Sequence, residues 1–513
     1  MEDTNGEPER PRRPSLQVIV LGSGGGPMEN NTTALLVRSV ASGWAKGSTI
    51  AVDAGVHLSA ITGIIEKTVP PGLGVNVPLP YTLMSGPFAG MELTSRFPST
   101  VAAHITRSVI DTYLITHPHL DHIAGFVINT AGLTRPKRLA ALPPTIDAIK
   151  THIFNNKIWP NMSDENNGAG LVTYTRLTPG GSPAAGDGDS KGYLEVADGL
   201  AVKAFAVSHG HCVEQHAHRG STSSAATPHR YPSVDAGSVA SPRILPHGLS
   251  SNMVPIPRAM SIVAEPVASE CVYDSSAYFI LDLATNREIL VFGDVEPDSL
   301  SLSPRNLEIW QEATPKIVSG QLAAVFIECS YDDSQSVDRL FGHLKPCYLI
   351  EELQTLAAEV EGVRQVHPPR KRKRVADADV LPRRKPGGAL SRLTGGDESP
   401  VSPKSVAKRA LSADISNVPQ LPPAATSVES PHLTTPTKEL SLKEMETSMS
   451  ESEDGHSRGQ PLKGLKVVII HVKERLDGRD MGDVILNELL AHEEVAQLGC
   501  EFILSRQGQS IYL

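Results

Sequence analysis

Six consecutive residues, 117–122, constrain this chain more than any other segment, because their order is His-Pro-His-Leu-Asp-His. Residues 111–116 are apolar and rich in β-formers and predict a strand, whereas residues 123–130 predict the start of a helix. A strand-to-helix turn spreads its side chains beyond the edge of a sheet, where they can converge on one point. Imidazole and carboxylate together suit zinc or a similar divalent ion. Four such donors in six residues are too crowded for one tetrahedral ion, so the run predicts two adjacent ions.

The alternative interpretation of this run is a polar turn that is merely rich in histidine. With 18 His among 513 residues, the pattern H-x-H-x-D-H arises by chance in roughly one such chain in a thousand. We therefore favour the metal site.

Composition limits the class of protein. A chain of 513 residues with 40 Pro and 42 Gly has room for more than one domain, but much of it is expected to be loop. The formal net charge of −10 gives no support to a surface that binds nucleic acid globally. The absence of an apolar run of about 18 residues excludes a transmembrane helix, and the acidic start does not resemble a signal peptide. Five scattered cysteines without a C-x-x-C pair suit a reducing compartment.

The distribution of apolar patterns predicts one catalytic domain with insertions, rather than two domains joined by a linker. Residues 1–14 are predicted to be disordered. The first part of the domain spans 15–361 and carries a flexible insertion at about 216–267, which is rich in Ser, Pro, Ala and Gly. Residues 362–460 are dominated by Pro, Ser, Thr and charge, so they cannot bury enough apolar surface to offset the entropy of ordering. The final part of the domain spans 461–513.

A site for two ions needs donors from other parts of the chain, and three apolar strand patterns end in such residues: His209, Asp294 and His471. Strand ends at one edge of a sheet can converge while the strands hold them rigidly. His211 competes with His209, which we favour because it directly follows the strand pattern. Each residue alone is more often an ordinary polar group. Because all three follow the H-x-H-x-D-H run in the chain and each ends a strand pattern, together they indicate a metal site.

The H-x-H-x-D-H run after a strand resembles the hallmark of the metallo-β-lactamase superfamily. The longer segment 117–125, His-Pro-His-Leu-Asp-His-Ile-Ala-Gly, resembles more narrowly the class II cyclic nucleotide phosphodiesterases of fungi and some bacteria. The resemblance covers both ends of the chain but not the two low-complexity insertions. It implies an α/β (α+β) fold, the metallo-β-lactamase αββα sandwich, in which two mixed sheets lie face to face and helices flank them.

The same resemblance implies how the donors are shared between two divalent ions. One ion takes three histidines, the second takes two histidines and a carboxylate, and a further carboxylate bridges both ions. In that order the residues are His117, His119 and His209, then Asp121, His122 and His471, and last Asp294. Asp121 is also predicted to be a catalytic residue. Zinc fits these donors best, and manganese and iron are the alternatives.

Two further residues match a weaker pattern of the superfamily. The strand pattern 324–328 ends at Glu328, and His343 follows a glycine. This arrangement is similar to the Glu-bearing strand and Gly-His turn of superfamily phosphodiesterases that process RNA ends. By that resemblance His343 is the candidate general acid and Glu328 the residue that orients it. The alternative is that His343 only closes a loop.

The resemblance implies an enzyme that hydrolyses 3′,5′-cyclic nucleotides to nucleoside 5′-monophosphates and so lowers cyclic nucleotide signalling. We favour cAMP as substrate, with cGMP as the other candidate. A second interpretation is a nuclease or tRNA 3′-end processing phosphodiesterase of the same fold, which the negative net charge makes less favourable. A third is a regulatory scaffold without catalysis, although every expected donor type is present.

Two segments near the N-terminus are interpreted as supports of the site. The loop 22–27, Gly-Ser-Gly-Gly-Gly-Pro, lacks the Lys-Ser/Thr of a P-loop and fails G-x-G-x-x-G, since position 27 is Pro. We expect it to form a tight turn close to the metals rather than a phosphate clamp. Asp53 is expected to have a structural or supporting role.

The predicted 362–460 insertion carries the only candidate signals for partners other than substrate. Residues 370–374, Arg-Lys-Arg-Lys-Arg, have the composition of a nuclear localisation signal, although a solvated basic patch is an equal alternative. Three Ser-Pro dipeptides are weak candidates for phosphorylation. We predict that the protein is cytoplasmic. Nuclear import and kinase contacts through the insertion are open alternatives. Neither a membrane nor a nucleic acid is expected to be its main partner.

Overall fold

The computed structural model describes residues 14–68, 78–212, 271–366 and 460–513. The predicted disordered N-terminus, the 216–267 insertion and nearly all of the 362–460 insertion lie outside these ranges, so those predictions stay predictions. The chain divides into two units, of which one comprises residues 1–369 and 458–513. The other comprises residues 370–457, which lie outside the described ranges.

Two seven-stranded mixed sheets form the centre of the described chain. In spatial order the first sheet contains β16 (Ser510–Tyr512), β1 (Leu16–Gly22), β2 (Ala34–Ser39), β3 (Thr49–Val52), β6 (Ile110–Leu114), β7 (Lys137–Ala141) and β8 (Val172–Arg176). The second contains β15 (Glu501–Leu504), β14 (Lys466–Ile470), β13 (Leu322–Glu328), β12 (Arg287–Phe292), β11 (Cys271–Asp282), β10 (Leu200–Cys212) and β9 (Leu194–Ala197). A small two-stranded sheet pairs β4 (Tyr81–Thr82) with β5 (Glu92–Leu93).

Seven α-helices cover the outer faces of the two large sheets in the described ranges. Four accompany the first sheet: α1 (Leu58–Thr68), α2 (Pro98–His104), α3 (Leu120–Asn129) and α4 (Pro143–Ala148). Three accompany the second: α5 (Asn306–Ser319), α6 (Pro346–Val366) and α7 (Met481–Ala496). Among these described helices, none is both long and apolar enough to cross a membrane.

The side chains of strand β1 show why the sheets form a sandwich. Leu16, Val18 and Val20 pack in the core between the two sheets, whereas Ile19 and Leu21 pack in the core under the helices. Successive side chains of a strand point to opposite faces, so these apolar side chains bury both faces of the sheet. A corresponding helix-covered core lies on the outer face of the second sheet. The predicted αββα sandwich is therefore confirmed.

The strand directions bring several strand ends to one edge of each sheet. In the second sheet β12, β13 and β14 run parallel, and β10 shares their direction because both β10 and β12 are antiparallel to β11. In the first sheet β3 and β6 run parallel. The polar residues that follow these strands therefore collect at shared edges, which is where ligand sites form in such sheets.

Candidate metal centre and active site

The seven predicted donors fall into two groups that share one carboxylate. In each group the candidate ligand atoms all lie within 4.8 Å of one another. The first group is His117, His119, His209 and Asp294, and the second is Asp121, His122, His471 and Asp294. This is the division that the resemblance implies for two ions with a bridging carboxylate.

The carboxylate of Asp294 lies at the centre of these donors and is buried. It follows β12, and its two oxygens approach the Nε2 atoms of four histidines. Oδ2 lies 3.5 Å from His117, 3.5 Å from His209 and 3.2 Å from His471, and Oδ1 lies 3.1 Å from His122. Asp121 lies at the more exposed rim, with Oδ2 3.7 Å from Nε2 of His471.

The turn after β6 is held by Asp53, which follows the neighbouring strand β3. Its Oδ1 accepts a hydrogen bond from the Thr116 backbone N–H at 2.8 Å, and Oδ2 accepts one from the Thr116 hydroxyl at 2.8 Å. Because that hydroxyl proton is used, the Thr116 oxygen accepts from Nδ1 of His117, 3.0 Å away. Nδ1 of His122 also donates to Oδ2 of Asp53, at 2.7 Å. One buried carboxylate thus orients both histidines.

Thr33 orients His471 in the same way, since its hydroxyl donates to the Gly24 carbonyl and its oxygen accepts from Nδ1 of His471 at 2.6 Å. The glycine-rich loop 22–27 passes directly over this imidazole. A Cβ on Gly25 would lie 2.6 Å from Nε2 of His471, so only glycine fits there. The structure thus places this loop against a candidate ligand, as the sequence predicted.

His209 lies inside β10 rather than beyond its end, since the strand continues to Cys212. The prediction that His209 directly follows the strand was therefore wrong, although the residue does lie in the donor cluster. An irregularity in the pairing with β11 between Ser208 and His211 breaks the strand's alternation. Nδ1 of His209 donates to the Gly342 carbonyl at 2.8 Å, whereas His211 is exposed.

The four histidines whose Nε2 atoms approach Asp294 thus each donate from Nδ1 to a protein oxygen. Their Nε2 atom, which is unprotonated in a neutral ring, faces Asp294. Nε2 of His117 and of His471 is buried without a hydrogen-bond partner in the described structure. Buried polar atoms are seldom left unpaired, and a metal-bound histidine commonly donates its other ring N–H to the protein. The donor set therefore fits divalent metal ions.

Burial and the neighbouring charges have opposite effects on the pKa values in this cluster, and which of them dominates differs between residues. Burial lowers the pKa of His209 to about 3 and that of His117 well below its usual value, so both rings are neutral. Burial also disfavours charged His122, but the carboxylates of Asp294 and Asp53 outweigh it and raise that pKa. Burial alone would raise the pKa of Asp294, yet the charge and the hydrogen bond of His122 hold it well below its usual range. Asp294 is therefore ionised.

His343 is oriented differently from the other histidines. Its Nδ1 lies 2.9 Å and 3.0 Å from the two carboxylate oxygens of Glu328, and 3.8 Å from Oδ2 of Asp294. Glu328 is fully buried at the end of β13, where it also accepts from the Val295 backbone N–H at 2.7 Å and from the Ser330 hydroxyl. The pair therefore lies beside the donor cluster, with the His343 ring tied back to Glu328 through Nδ1.

Sequence reasoning did not find the groups that hold the candidate ligands and the His343–Glu328 pair through tertiary contacts: the hydroxyls of Thr33 and Thr116, the Gly342 carbonyl and Ser330. The Ser330 hydroxyl lies 2.9 Å from the His471 carbonyl, in addition to its contact with Glu328. Asp53 was expected to support the site without a named partner, and the structure supplies the partners. No signal in the sequence marks the others, because threonine and serine are common in loops.

The described fold and this cluster of histidines and carboxylates define a metallo-β-lactamase-fold protein with a candidate site for divalent metal ions. A family model described as cAMP phosphodiesterases class-II matches residues 21–368. The chain belongs to the class-II cAMP phosphodiesterase family.

Relatives and a solved structure agree with this assignment. The chain is 27% identical over 359 residues to the 3′,5′-cyclic-nucleotide phosphodiesterase of Schizosaccharomyces pombe, a match that covers 69% of this chain and 79% of that protein. It is 29% identical over 384 residues to the enzyme of the same name from Candida albicans, covering 67% and 83%. The crystal structure of unliganded yeast PDE1 matches with a TM-score of 0.57 and 19% identity, covering 98% of this chain and 100% of that chain. Family membership favours the phosphodiesterase interpretation over the nuclease and scaffold alternatives.

Proposed function

We propose that this chain hydrolyses 3′,5′-cyclic nucleotides, cAMP in particular, to nucleoside 5′-monophosphates. The observation that carries the proposal is the shared carboxylate of Asp294 between two groups of metal-ligand atoms. A site for two ions is suited to phosphodiester cleavage, since it can stabilise both the attacking and the leaving oxygen. Family membership supplies the substrate class.

We further propose that both ions are zinc, because imidazole nitrogen and carboxylate oxygen are among its usual ligands. His117, His119 and His209 would hold one ion, and Asp121, His122 and His471 the other. When bound, the ions would neutralise phosphate charge and lower the pKa of a nucleophilic water. Asp294 would fix the spacing of the two ions.

His343 is proposed to protonate the 3′ oxygen as it leaves phosphorus. Nδ1 is turned towards Glu328, so the proton that moves is the one on Nε2. The Glu328 carboxylate stabilises the doubly protonated ring before transfer and keeps a proton on Nδ1 after it. Its burial and its bonds to Val295 and Ser330 hold the pair in place.

The predictions for the large insertion remain part of the proposal. We propose that 15–361 and 461–513 form one catalytic domain, that 362–460 is an insertion, and that the protein acts in the cytoplasm. Nuclear-import or kinase contacts through residues 370–374 and the Ser-Pro dipeptides rest on the sequence alone and lie outside the described residues.

The direct test is to supply purified protein with cAMP or cGMP and to identify the nucleotide product by chromatography. We expect the 5′-monophosphate, and we expect Asp121→Ala to abolish its formation, because a ligand of the second ion and a proposed catalytic residue is lost. Asp164→Ala is a matched control, because Asp164 lies outside both donor groups. Full turnover by Asp121→Ala with normal metal content would refute the mechanism.

A further inference from the structure

A cavity of about 600 Å³ is formed largely by helix α2, the π-helical turn Ile105–Val109 that follows it and the loop that enters β7. None of its lining residues belongs to either donor group or to the His343–Glu328 pair. Two of the side chains in its wall are arginines, and no described residue that lines it carries a carboxylate. Five others carry a hydroxyl group: Thr94, Ser99, Thr100, Ser108 and Thr134. The wall therefore offers hydrogen-bond donors and positive charge.

Both arginines in the wall are held by backbone carbonyl groups instead of carboxylates. Nε of Arg107 donates to the Gly132 carbonyl at 2.9 Å, and Nε of Arg135 donates to the Arg107 carbonyl at 2.7 Å. Within the described ranges neither guanidinium has an ion pair, and no hydrogen bond involves their terminal nitrogens. The two groups are thus fixed at Nε, while their terminal N–H groups can donate to a ligand.

Lys137 adds a third positive charge beside these arginines. It is buried at the start of β7, and its ammonium donates to the carbonyls of Arg107, at 3.0 Å, and of Ile110. Burial and, after it, the charge of Arg135 lower the pKa of Lys137 to about 8. Buried charged groups are usually paired, yet among the described residues no carboxylate forms an ion pair with any of the three cations. The cluster therefore carries a positive charge that lacks a counterion in the described chain.

The end of the helix explains why these cations lie together. The last carbonyls of a helix lack a helical partner, so the Arg107 carbonyl can accept from both Lys137 and Arg135. The π-helical turn in which the helix ends contains Arg107 and Ser108 of the wall. Such turns are rare and are frequently found at functional sites. The positions of the cations are therefore set by the backbone of this turn.

We propose that this cavity binds the phosphate group of a small, soluble phosphomonoester. Such a group carries about −1.5 to −2 charges at pH 7 and three strong acceptor oxygens, which two guanidinium groups and the neighbouring hydroxyls can satisfy. A carboxylate has fewer oxygens, and a phosphodiester carries only one negative charge, so both match the wall less well. Ala103 is the only apolar residue among those described in the wall, which leaves no surface for a lipid tail. The site goes beyond the proposed function and does not rest on it.

The test measures binding of labelled inorganic phosphate by equilibrium dialysis to the purified protein with its metals bound. We expect Arg107→Gln and Arg135→Gln each to weaken binding in the cavity about tenfold or more, because a charge-assisted hydrogen bond to phosphate is lost. Arg138→Gln is the matched control, since Arg138 lies next to Lys137 on β7 but pairs with Asp111, and it should bind phosphate as wild-type protein does. Any phosphate held at the metal centre contributes equally to all four proteins, so the difference between them reports on the cavity.

Competition tests the chemical class of the ligand, and it is scored on the part of the binding that Arg135→Gln lacks. Glycerol 1-phosphate should displace phosphate from the cavity, whereas dimethyl phosphate, a phosphodiester with one charge, should displace it much more weakly. Thermal melting and metal content check that both arginine variants stay folded. Equal phosphate binding in wild-type protein and in both variants would overturn the site. Equal displacement by the two esters would overturn the assignment to phosphomonoesters.

Discussion

The carboxylate of Asp53 accepts a hydrogen bond from Nδ1 of His122 across 2.7 Å, although the two residues are 69 positions apart in the chain. Asp53 follows β3, and His122 lies in the first turn of α3 beyond the parallel strand β6. The bond keeps the proton on Nδ1 and directs Nε2 towards Asp294. The fold thus determines which nitrogen of this histidine is available to a metal.

Removing the charge of Asp53 should weaken binding of the second ion without unfolding the protein. We expect Asp53→Asn to lower metal affinity or kcat/KM by about 10- to 100-fold, the usual effect of losing a partner behind a ligand. Metal content after dialysis and steady-state kinetics measure this. Asp111→Asn is the matched control, because Asp111 lies on β6 but pairs with Arg138 at the surface. Equal losses in both variants would contradict the assigned role.

Replacing His343 should separate catalysis from metal binding. We expect His343→Gln to retain both ions and to lose about 10²- to 10⁴-fold in kcat for cAMP, the range for a lost general acid. An ester with a p-nitrophenolate leaving group should show a much smaller loss, since that group departs without a proton. If both substrates lose activity equally, His343 is not the proton donor.

Glu328→Gln should reproduce part of the loss in kcat that is expected for His343→Gln. The amide still accepts a hydrogen bond from Nδ1, but it no longer stabilises the charged ring, so we expect a lower kcat for cAMP with KM little changed. Circular dichroism and metal content check that the buried site stays folded. A rise in KM alone would indicate that Glu328 acts in binding instead.

Adding one methyl group to the glycine-rich loop should disturb His471. Because a Cβ on Gly25 would lie 2.6 Å from Nε2 of that histidine, we expect Gly25→Ala to reduce metal content and turnover together. Gly63→Ala is the control, since its Cβ would meet nothing within 4 Å inside α1, and it should leave both unchanged. Normal metal content in Gly25→Ala would show that the loop does not limit the ligand geometry.

Much of the fold could be predicted because each part is encoded locally. Apolar runs such as residues 18–21 identify strands that are buried on both faces, and the H-x-H-x-D-H run fixes a strand-to-helix turn. Asp294 and His471 could be chosen because each lies at the end of an apolar strand pattern. The choice of His209 over His211 had a weaker basis. The sequence pattern of β10 does not reveal the irregular pairing with β11 between Ser208 and His211.

The remaining features depend on contacts between distant segments. Thr33 and His471 lie 438 positions apart, and Gly342 accepts from His209 across 133 positions. A hydroxyl or a backbone carbonyl has no sequence signal that distinguishes such a role from solvent exposure. The segment before β6 shows a similar limit, since helix α2 ends at His104 and a π-helical turn, Ile105–Val109, leads on to β6 without a sequence signal for the change.

The measurement that tests the central claim most directly is metal content and cAMP turnover on the same samples of wild-type protein, Asp294→Ala and His471→Ala. We predict two ions per wild-type chain, one in His471→Ala and fewer than one in Asp294→Ala, with formation of 5′-AMP lost in both variants. Two ions and full turnover in Asp294→Ala would contradict the shared-carboxylate site.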